Sequence, residues 1–259
     1  MKNYLANIKK DFLTIVFVFG LILFLMFRPT LNIASFESSS NSLAEQYIQH
    51  TGETSNKIHG IDVSHDQGNI DWSQVIKTDI DFVYLKATDG ITYTDPRFHG
   101  YMSDLLDKEL LYGTYHFFEA EDDPEKQADN FLKQISSYPL RLSPMVDVEV
   151  TKDQDPQEIK TRLQSFLNKV HTATGCKPVI YSYSSFWQHN IGTEFNQYVF
   201  WLADYAKKIN PPKGVDNLTI WQYSDKGRIE GISGPVDLDV ILTGEEGLNK
   251  IRCTGSVKN

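Results

Sequence analysis

Cysteine is almost missing from this chain of 259 residues, with only Cys176 and Cys253 present. Two cysteines make no disulfide framework, and neither their spacing nor their neighbours suggest a metal knot. In an oxidising compartment they could pair and tie the C-terminal tail to the body; unpaired thiols are the alternative. The chain also contains no H-x-H pair or other tight cluster of metal ligands. A metal-dependent hydrolase using Asp62, His65 and His116 therefore has little support. Positive charge is short as well, with 25 Lys and Arg against 34 Asp and Glu. Residues 1–35 hold four of the basic residues and one of the acidic ones, so the remainder carries 21 against 33, a net of −12. A domain that acidic is a poor candidate for nucleic-acid binding, and no nucleic-acid partner is expected.

Charge is missing altogether from Phe12 to Phe27, a run preceded by Lys2, Lys9 and Lys10 and followed by Arg28-Pro29. An apolar run with a basic N-terminal flank reads as a membrane-targeting segment, with its N-terminus inside and the rest exported. Sixteen residues slightly exceed a signal-peptide core of about 7–15 and just miss the roughly 17–25 of a full span. The length favours an uncleaved single-pass anchor in the cell membrane over secretion after cleavage near Ala34. Residues 1–34 are thus expected to form a cytoplasmic tip and anchor. The polar, serine-rich stretch 35–57 reads as a stalk, and 58–259 as one folded domain.

Within that domain short apolar runs alternate with longer polar or helical stretches. Strands are expected at Ile58–Ser64, Phe82–Thr88, Leu110–Phe118, Leu142–Val150, Lys177–Tyr183, Tyr198–Tyr205, Leu218–Ser224 and Val236–Thr243. Helices are expected at Asp71–Thr78, Pro96–Lys108, Pro124–Ser137 and Asp155–Thr174. The last is the clearest, with Ile159, Leu163, Phe166, Leu167 and Val170 at helical spacing between Pro156 and Gly175. Repeated strand–helix–strand units imply parallel strands joined by crossovers, so the fold class is α/β, a modified (β/α) barrel of about eight strands. Helical periodicity fades after the sixth strand, which predicts an irregular second half with room for antiparallel strands.

In such barrels chemistry gathers at the C-terminal ends of the strands. Polar residues do collect there: Asp62, Asp89, His116, Asp147 and Glu149, Asp204, the Trp221-Gln222-Tyr223 run, and Asp237 with Asp239 on the last strand. In L-S-P-M-V-D-V-E-V, residues 142–150, Asp147 and Glu149 alternate with Val146, Val148 and Val150. A period of two turns both acids to one face, while the valines, with Met145 and Leu142, imply an apolar environment for the other. Carboxylates with Trp and Tyr rings in a concave site suit a carbohydrate cleft, since rings stack on sugars and acids bind hydroxyls or move protons.

The motifs G-I-D-V-S-x-x-Q-G (Gly60–Gly68), F-V-Y-L-K-A-T-D-G (Phe82–Gly90), T-D-P-R-F (Thr94–Phe98), Y-G-T-Y-H-F (Tyr112–Phe117), M-V-D-V-E (Met145–Glu149), P-V-I-Y-S (Pro178–Ser182), W-Q-Y-S (Trp221–Ser224) and G-x-V-D-L-D (Gly234–Asp239) resemble the glycoside hydrolase family 25 lysozymes, the Chalaropsis-type muramidases. The resemblance runs from about Ile58 to Leu242. It implies cleavage of the β-1,4 bond between N-acetylmuramic acid and N-acetylglucosamine in peptidoglycan glycan strands, by a modified β/α barrel with no metal or other cofactor. By motif, Glu149 is similar to the general acid and Asp147 to its partner, while Asp62 and Asp237 resemble the other acids of the floor. Tyr115, Tyr181, Trp201 and Trp221 would lie in the sugar groove, with Asp89, His116 and Gln222 as further substrate contacts. Asp89 stands where the family usually has Glu, and Asp239 where an amide is common.

Four carboxylates in one low-dielectric cleft cannot all ionise cheaply, so at least one should hold a proton toward neutral pH. Residues i and i+2 of a strand lie about 6.6 Å apart, between the separations of retaining and inverting pairs, so the spacing does not select a mechanism. Attack by the substrate's own acetamide with Asp147 as orienter is the favoured route. A wall-binding protein with an inactive cleft is the competing reading, to which Asp89 lends slight support. His116 is open between a core role and a substrate contact. Lys86 is expected to pair with a neighbouring acid, and Trp72 and Trp187 to serve packing. A membrane anchor would keep a monomeric catalytic domain at the cell's own wall.

Overall fold

The computed structural model describes residues 58–258. The segments read as anchor and stalk lie outside the described residues, and no helix among those described is long and apolar enough to cross a membrane. In chain order the elements are β1 (Ile58–Val63), α1 (Trp72–Val75), β2 (Ile80–Asp89), β3 (Tyr93–Thr94), α2 (Phe98–Leu105), β4 (Leu111–Phe117), α3 (Pro124–Ile135), β5 (Leu140–Leu142), β6 (Met145–Asp147), α4 (Pro156–Thr174), β7 (Val179–Tyr183), β8 (Val199–Ala203), β9 (Leu218–Gly227), β10 (Val236–Ile241), α5 (Gly244–Ile251) and β11 (Arg252–Gly255).

Eight of the strands close into a barrel in the order β1-β2-β4-β6-β7-β8-β9-β10. Every neighbouring pair from β1 round to β9 is parallel, and β10 runs antiparallel to both β9 and β1 where the ring closes. The α/β barrel with an irregular second half expected from the sequence is therefore present. Its irregularity amounts to one reversed strand, with the short helical turns Ser184–Phe186, Trp187–Ile191 and Thr193–Phe195 in place of a crossover helix after β7.

The two longest helices form where the sequence supplies caps. Asp155 accepts from Glu158 N at 3.0 Å ahead of Pro156, and Gly175 ends α4 in the left-handed conformation at φ 73°, where glycine meets no Cβ penalty. Asp123 caps α3 in the same way ahead of Pro124. The apolar face of α4, from Ile159 through Val170, packs with Val146, Val148 and Ile180 of the barrel wall in the layer between strands and helices.

The barrel interior is a separate cluster dominated by rings: Phe82, Tyr84, Tyr115, Tyr181 and Trp201, with Met145 and Ile220. Trp201 meets Tyr84 edge-on at 5.0 Å and Tyr181 at 5.8 Å. Two motif glycines make room for these rings. A Cβ on Gly60 would lie 2.2 Å from the Phe82 ring, and one on Gly113 2.3 Å from Tyr84, closer than packed atoms can approach.

The stretch expected as one strand, Leu142–Val150, is broken. Leu140–Leu142 pairs with β11, while only Met145–Asp147 joins the barrel. Pro144 has no N–H for a ladder, and Ser143 N turns instead to Ile251 O at 2.7 Å. Met145 also lies on the same inward face as the acids, not on the apolar outer face with the valines. The two cysteines do pair: Cys176, just after α4, is bonded to Cys253 in β11.

Candidate active site

The ring-filled interior ends in a layer of carboxylates at the C-terminal end of the parallel strands. Asp62 is next to last in β1 and Asp147 last in β6, with Glu149 two residues beyond. β10 runs the other way, so it contributes its start: Asp237 sits directly opposite Asp62 in the antiparallel register. The four acids named from the sequence thus meet at one barrel mouth, and each bears electrostatically on others of the set.

Glu149 is held by its backbone neighbours. Val148 N donates to Tyr181 O at 3.0 Å, Ser182 Oγ to Val148 O at 2.7 Å and Tyr183 Oη to Glu149 O at 3.4 Å. The loop that follows is pinned by the Lys152–Glu119 ion pair at 3.1 Å. A cavity of about 610 Å³ opens beside the Glu149 side chain, lined by Tyr183, Ala203, Asp204 and Tyr205. A larger surface cavity of about 910 Å³ lies between α3 and α4, around Glu125, Asp129 and Lys169; none of the clustered acids lines it.

Burial raises the proton affinity of every acid in the layer. It pushes Asp62 up to about 6 against hydrogen bonds from Gln222 and Asp239, and with the Asp62 charge it pushes Asp237 up to about 8. Asp147 is raised well above the carboxylate range by burial and by Glu149 and Asp62. Glu149 is raised by burial and by Asp62. Lys86 opposes both shifts from its position at 3.0 Å from Asp89, the ion pair expected for it. The crowding argument made from the sequence holds, with burial a larger cause than repulsion.

Gln222 organises one side of the layer. Its Oε1 accepts from Tyr181 Oη at 2.8 Å and Tyr205 Oη at 2.6 Å, while Nε2 donates to Asp62 Oδ2 at 2.7 Å. Gln222 is only 2% exposed, so its clear role is to fix Asp62 and the two tyrosines. Tyr115 lies among Asp62, Asp147 and Asp237, whose charges together with burial hold its hydroxyl protonated. Tyr181 is similarly placed.

Three residues assigned to substrate stand elsewhere. His116 faces outward from β4, fully buried, with its ring nitrogens engaged by Thr88 Oγ1 at 2.8 Å and Gln127 Oε1 at 3.0 Å and its ring stacked on Phe166. Burial drops its pKa to about 3 and keeps it neutral. It has no surface to offer a sugar, and it shares no ligand sphere with Asp62 on the other side of the wall. Trp221 is likewise turned outward into the layer beneath the helices, where its Nε1 donates to Asp204 O at 2.7 Å. Trp201 points inward but lies fully buried beneath the acids, donating to Asp239 Oδ1 at 3.1 Å. A tryptophan following an apolar strand residue has no sequence mark that tells core from groove. The rings that do reach solvent around the mouth are tyrosines: Tyr93, Tyr183 and Tyr205, at 40%, 38% and 52% exposure. Sequence reading passed over all three, although Tyr183 and Tyr205 each fall at the end of a predicted strand. Trp72 and Trp187 are buried, as expected of packing residues.

A barrel mouth with a partly open Glu beside a buried Asp, framed by exposed tyrosines, has the groups a glycoside hydrolase needs. Residues 61–232 match the family described as glycosyl hydrolases family 25, and the chain belongs to that family. It is 32% identical over 248 residues to the YegX protein of Escherichia coli O6:H1, across 90% of each chain. It is also 32% identical over 187 residues to the autolytic lysozyme of Clostridium acetobutylicum, spanning 72% of this chain and 56% of that one. The crystal structure of a bacterial lysozyme from Streptomyces coelicolor superposes with a TM-score of 0.67 at 29% identity, covering 76% of this chain and 96% of that one.

Proposed function

We infer that this protein is a lysozyme of the N-acetylmuramidase type, cleaving the β-1,4 bond between N-acetylmuramic acid and N-acetylglucosamine in peptidoglycan. The observation that carries the reading is the pairing of Glu149 with Asp147 at the mouth of a family 25 barrel, one acid beside the open cavity and the other buried. Glu149 donates the proton to the leaving glycosidic oxygen.

Asp147 acts as its partner by orienting the acetamide of the muramic acid residue, whose oxygen attacks the anomeric carbon. Its Oδ1 is buried without a hydrogen-bond partner in the protein, so bonding capacity of this carboxylate is left unspent. Burial and crowding raise the proton affinity of both acids; an N–H donated to Asp147 favours its anion, and the Asp147 charge in turn favours the proton on Glu149. Asp62 supplies negative charge around the developing oxocarbenium ion, with the Asp237 carboxyl directly opposite it in the register. Tyr115 and Tyr181 line the floor, and Asp89, tied to Lys86, stands at the rim where a sugar hydroxyl would lie.

The apolar run 12–27 with its basic flank supports an enzyme tethered to the membrane, its catalytic domain outside and its substrate the cell's own wall. The Cys176–Cys253 disulfide fits folding in an oxidising compartment. Full-length protein found free in the medium after fractionation would count against the tether.

Glu149→Gln tests the catalytic reading, with release of new reducing ends from purified peptidoglycan as the measure. Loss of a positioned general acid should lower the rate by about 10²–10⁴-fold while the thermal unfolding curve stays close to the parent's. A variant as active as the parent would leave a binding protein with an idle cleft as the better reading.

A further inference from the structure

Asp239 is a carboxyl the reaction does not need for proton donation, yet it is completely buried inside the barrel. It follows Asp237 by two residues on β10, so it points inward one step deeper. Its Oδ1 accepts from Trp201 Nε1 at 3.1 Å, while its Oδ2 is buried and receives no N–H or O–H from the protein. A bare carboxylate oxygen in that position would be a buried charge without compensation. Asp239 and Asp62 are diagonal neighbours facing inward on the paired strands β10 and β1, where Asp62 stands opposite Asp237 and Gly60 opposite Asp239, and two neighbouring carboxyls can be joined by a hydrogen bond only if one of them carries a proton.

We propose that Asp239 is a positioning residue whose protonated carboxyl donates to Asp62, so that the acid layer is assembled only while Asp239 keeps its proton. The proton belongs on Asp239 because Asp62 already has a donor in Gln222 Nε2 at 2.7 Å and touches solvent, whereas Asp239 is fully enclosed. With both donors in place Asp62 can remain anionic among three other acids. The groups facing Asp239 are Asp62 from β1, Asp237 from its own strand, the neutral Gln222 from β9 and the indole of Trp201 from β8. Behind Gln222 stands the Tyr181 hydroxyl of β7, and the Tyr84 hydroxyl of β2 is committed to Ser143 O at 3.0 Å. Lys86 bears on Asp147 and Glu149, and no cation figures among the causes that set Asp239. When Asp239 ionises, its charge opposes that of Asp62. Asp62 must then take up a proton or leave the Gln222 contact.

The inference rests on placing Asp62 in the working site, and two measurements on the full chain separate it from that reading. The first is the pH profile of peptidoglycan cleavage for Asp239→Asn. An asparagine amide donates to Asp62 and accepts from Trp201 at every pH. The variant should therefore keep about tenfold more of its own maximal rate on the alkaline side than the parent keeps, a shift of about one pH unit. Asp239→Ala, without the donor, should be slower than Asp239→Asn throughout. Superimposable profiles for parent and Asp239→Asn would overturn the proposal. The second needs no activity and no folded variant at 239. The Trp201 indole N–H resonance of the parent, assigned with Trp201→Phe, should move with the same midpoint as the alkaline limb. A resonance that does not change from acid to alkaline pH would overturn the proposal even if Glu149→Gln abolishes cleavage. If Glu149→Gln is fully active while the resonance titrates, the catalytic reading fails and the Asp239 proton stands.

Discussion

Two pairs of acids share this barrel mouth and are treated in opposite ways by their surroundings. Asp62 and Asp239 are backed by Gln222 and Trp201, which donate to Asp62 Oδ2 and Asp239 Oδ1, and the proton proposed for Asp239 would account for its otherwise unpartnered Oδ2. Asp147 and Glu149 are crowded by charge and burial, but Asp147 Oδ1 has no donor and Glu149 borders the open cavity. A partnered acid is a fixed part of the wall, whereas an unpartnered one keeps bonding capacity in reserve for a ligand. The contrast divides the four acids by what the protein withholds from them. Glu149→Gln, described above, breaks the open pair most directly.

Asp147→Asn removes the charge that accepts the acetamide and should cost about 10²–10³-fold in cleavage rate, a loss of the size expected for one preorganised group at the reacting centre. No hydrogen bond of the folded protein to Oδ1 is lost, so the melting temperature should not fall. A large drop in melting temperature would place Asp147 with the structural pair and remove the contrast. On the other side, Gln222→Leu strips Asp62 of a donor and leaves the hydroxyls of Tyr181 and Tyr205 without their acceptor. Tyr205 is exposed, so two buried groups are left unsatisfied; at about 1–3 kcal/mol each, this variant should lose about 2–6 kcal/mol of stability by denaturant titration and about tenfold in rate. Full stability in Gln222→Leu would show that the network is decoration.

The arrangement of strands could be read from the sequence because it follows from local periodicity. Short apolar runs alternating with helices imply a barrel, and barrels place strand-end residues together, which gathered a wider set of polar residues that included Asp62, Asp147 and Glu149; singling out those three with Asp237, at the start of the reversed strand, came from the resemblance to the family 25 motifs. The facing of individual aromatics could not. Trp201 and Trp221 occupy similar motifs, W-L-A-D and W-Q-Y-S, yet one fills the barrel interior and the other the outer layer. That depends on strand parity relative to the closure, which one sequence does not display. His116 fails for the same reason: alternation along β4 turns it to the helices. The break at Ser143–Pro144 was legible in the proline and was overridden by the regular alternation of valines and acids beyond it. Tyr205 and Tyr183 were missed because exposure at a rim is set by the loops that surround it, and those loops carry no periodic signal.

The smallest expected effect concerns stability and pH, and it tests whether the acid layer is strained as a whole. Asp237 holds its proton in the folded protein up to about pH 8, while its ordinary value is 3.8. Its contribution to stability is therefore complete below about pH 4 and is lost as pH rises through 8. His116 works the other way: folded at about 3 against 6.5, it stabilises above pH 6.5 and is lost as pH falls toward 3. The two oppose each other below pH 6.5. Between that value and about 8 the histidine is neutral in both states, and the slope comes from the raised acids. One such group changes stability by up to about 1.4 kcal/mol per pH unit. Since Asp237 is partly open to solvent, about 1 kcal/mol over the window is the reasonable expectation. For a domain of this size that corresponds to a melting temperature lower by about 2–4 °C at the alkaline end. Asp237→Asn should flatten the decline by removing the proton-holding group. Equal slopes in the parent and Asp237→Asn would mean that the proton is not held at 237, and the layer would then owe its pH response to the other raised acids.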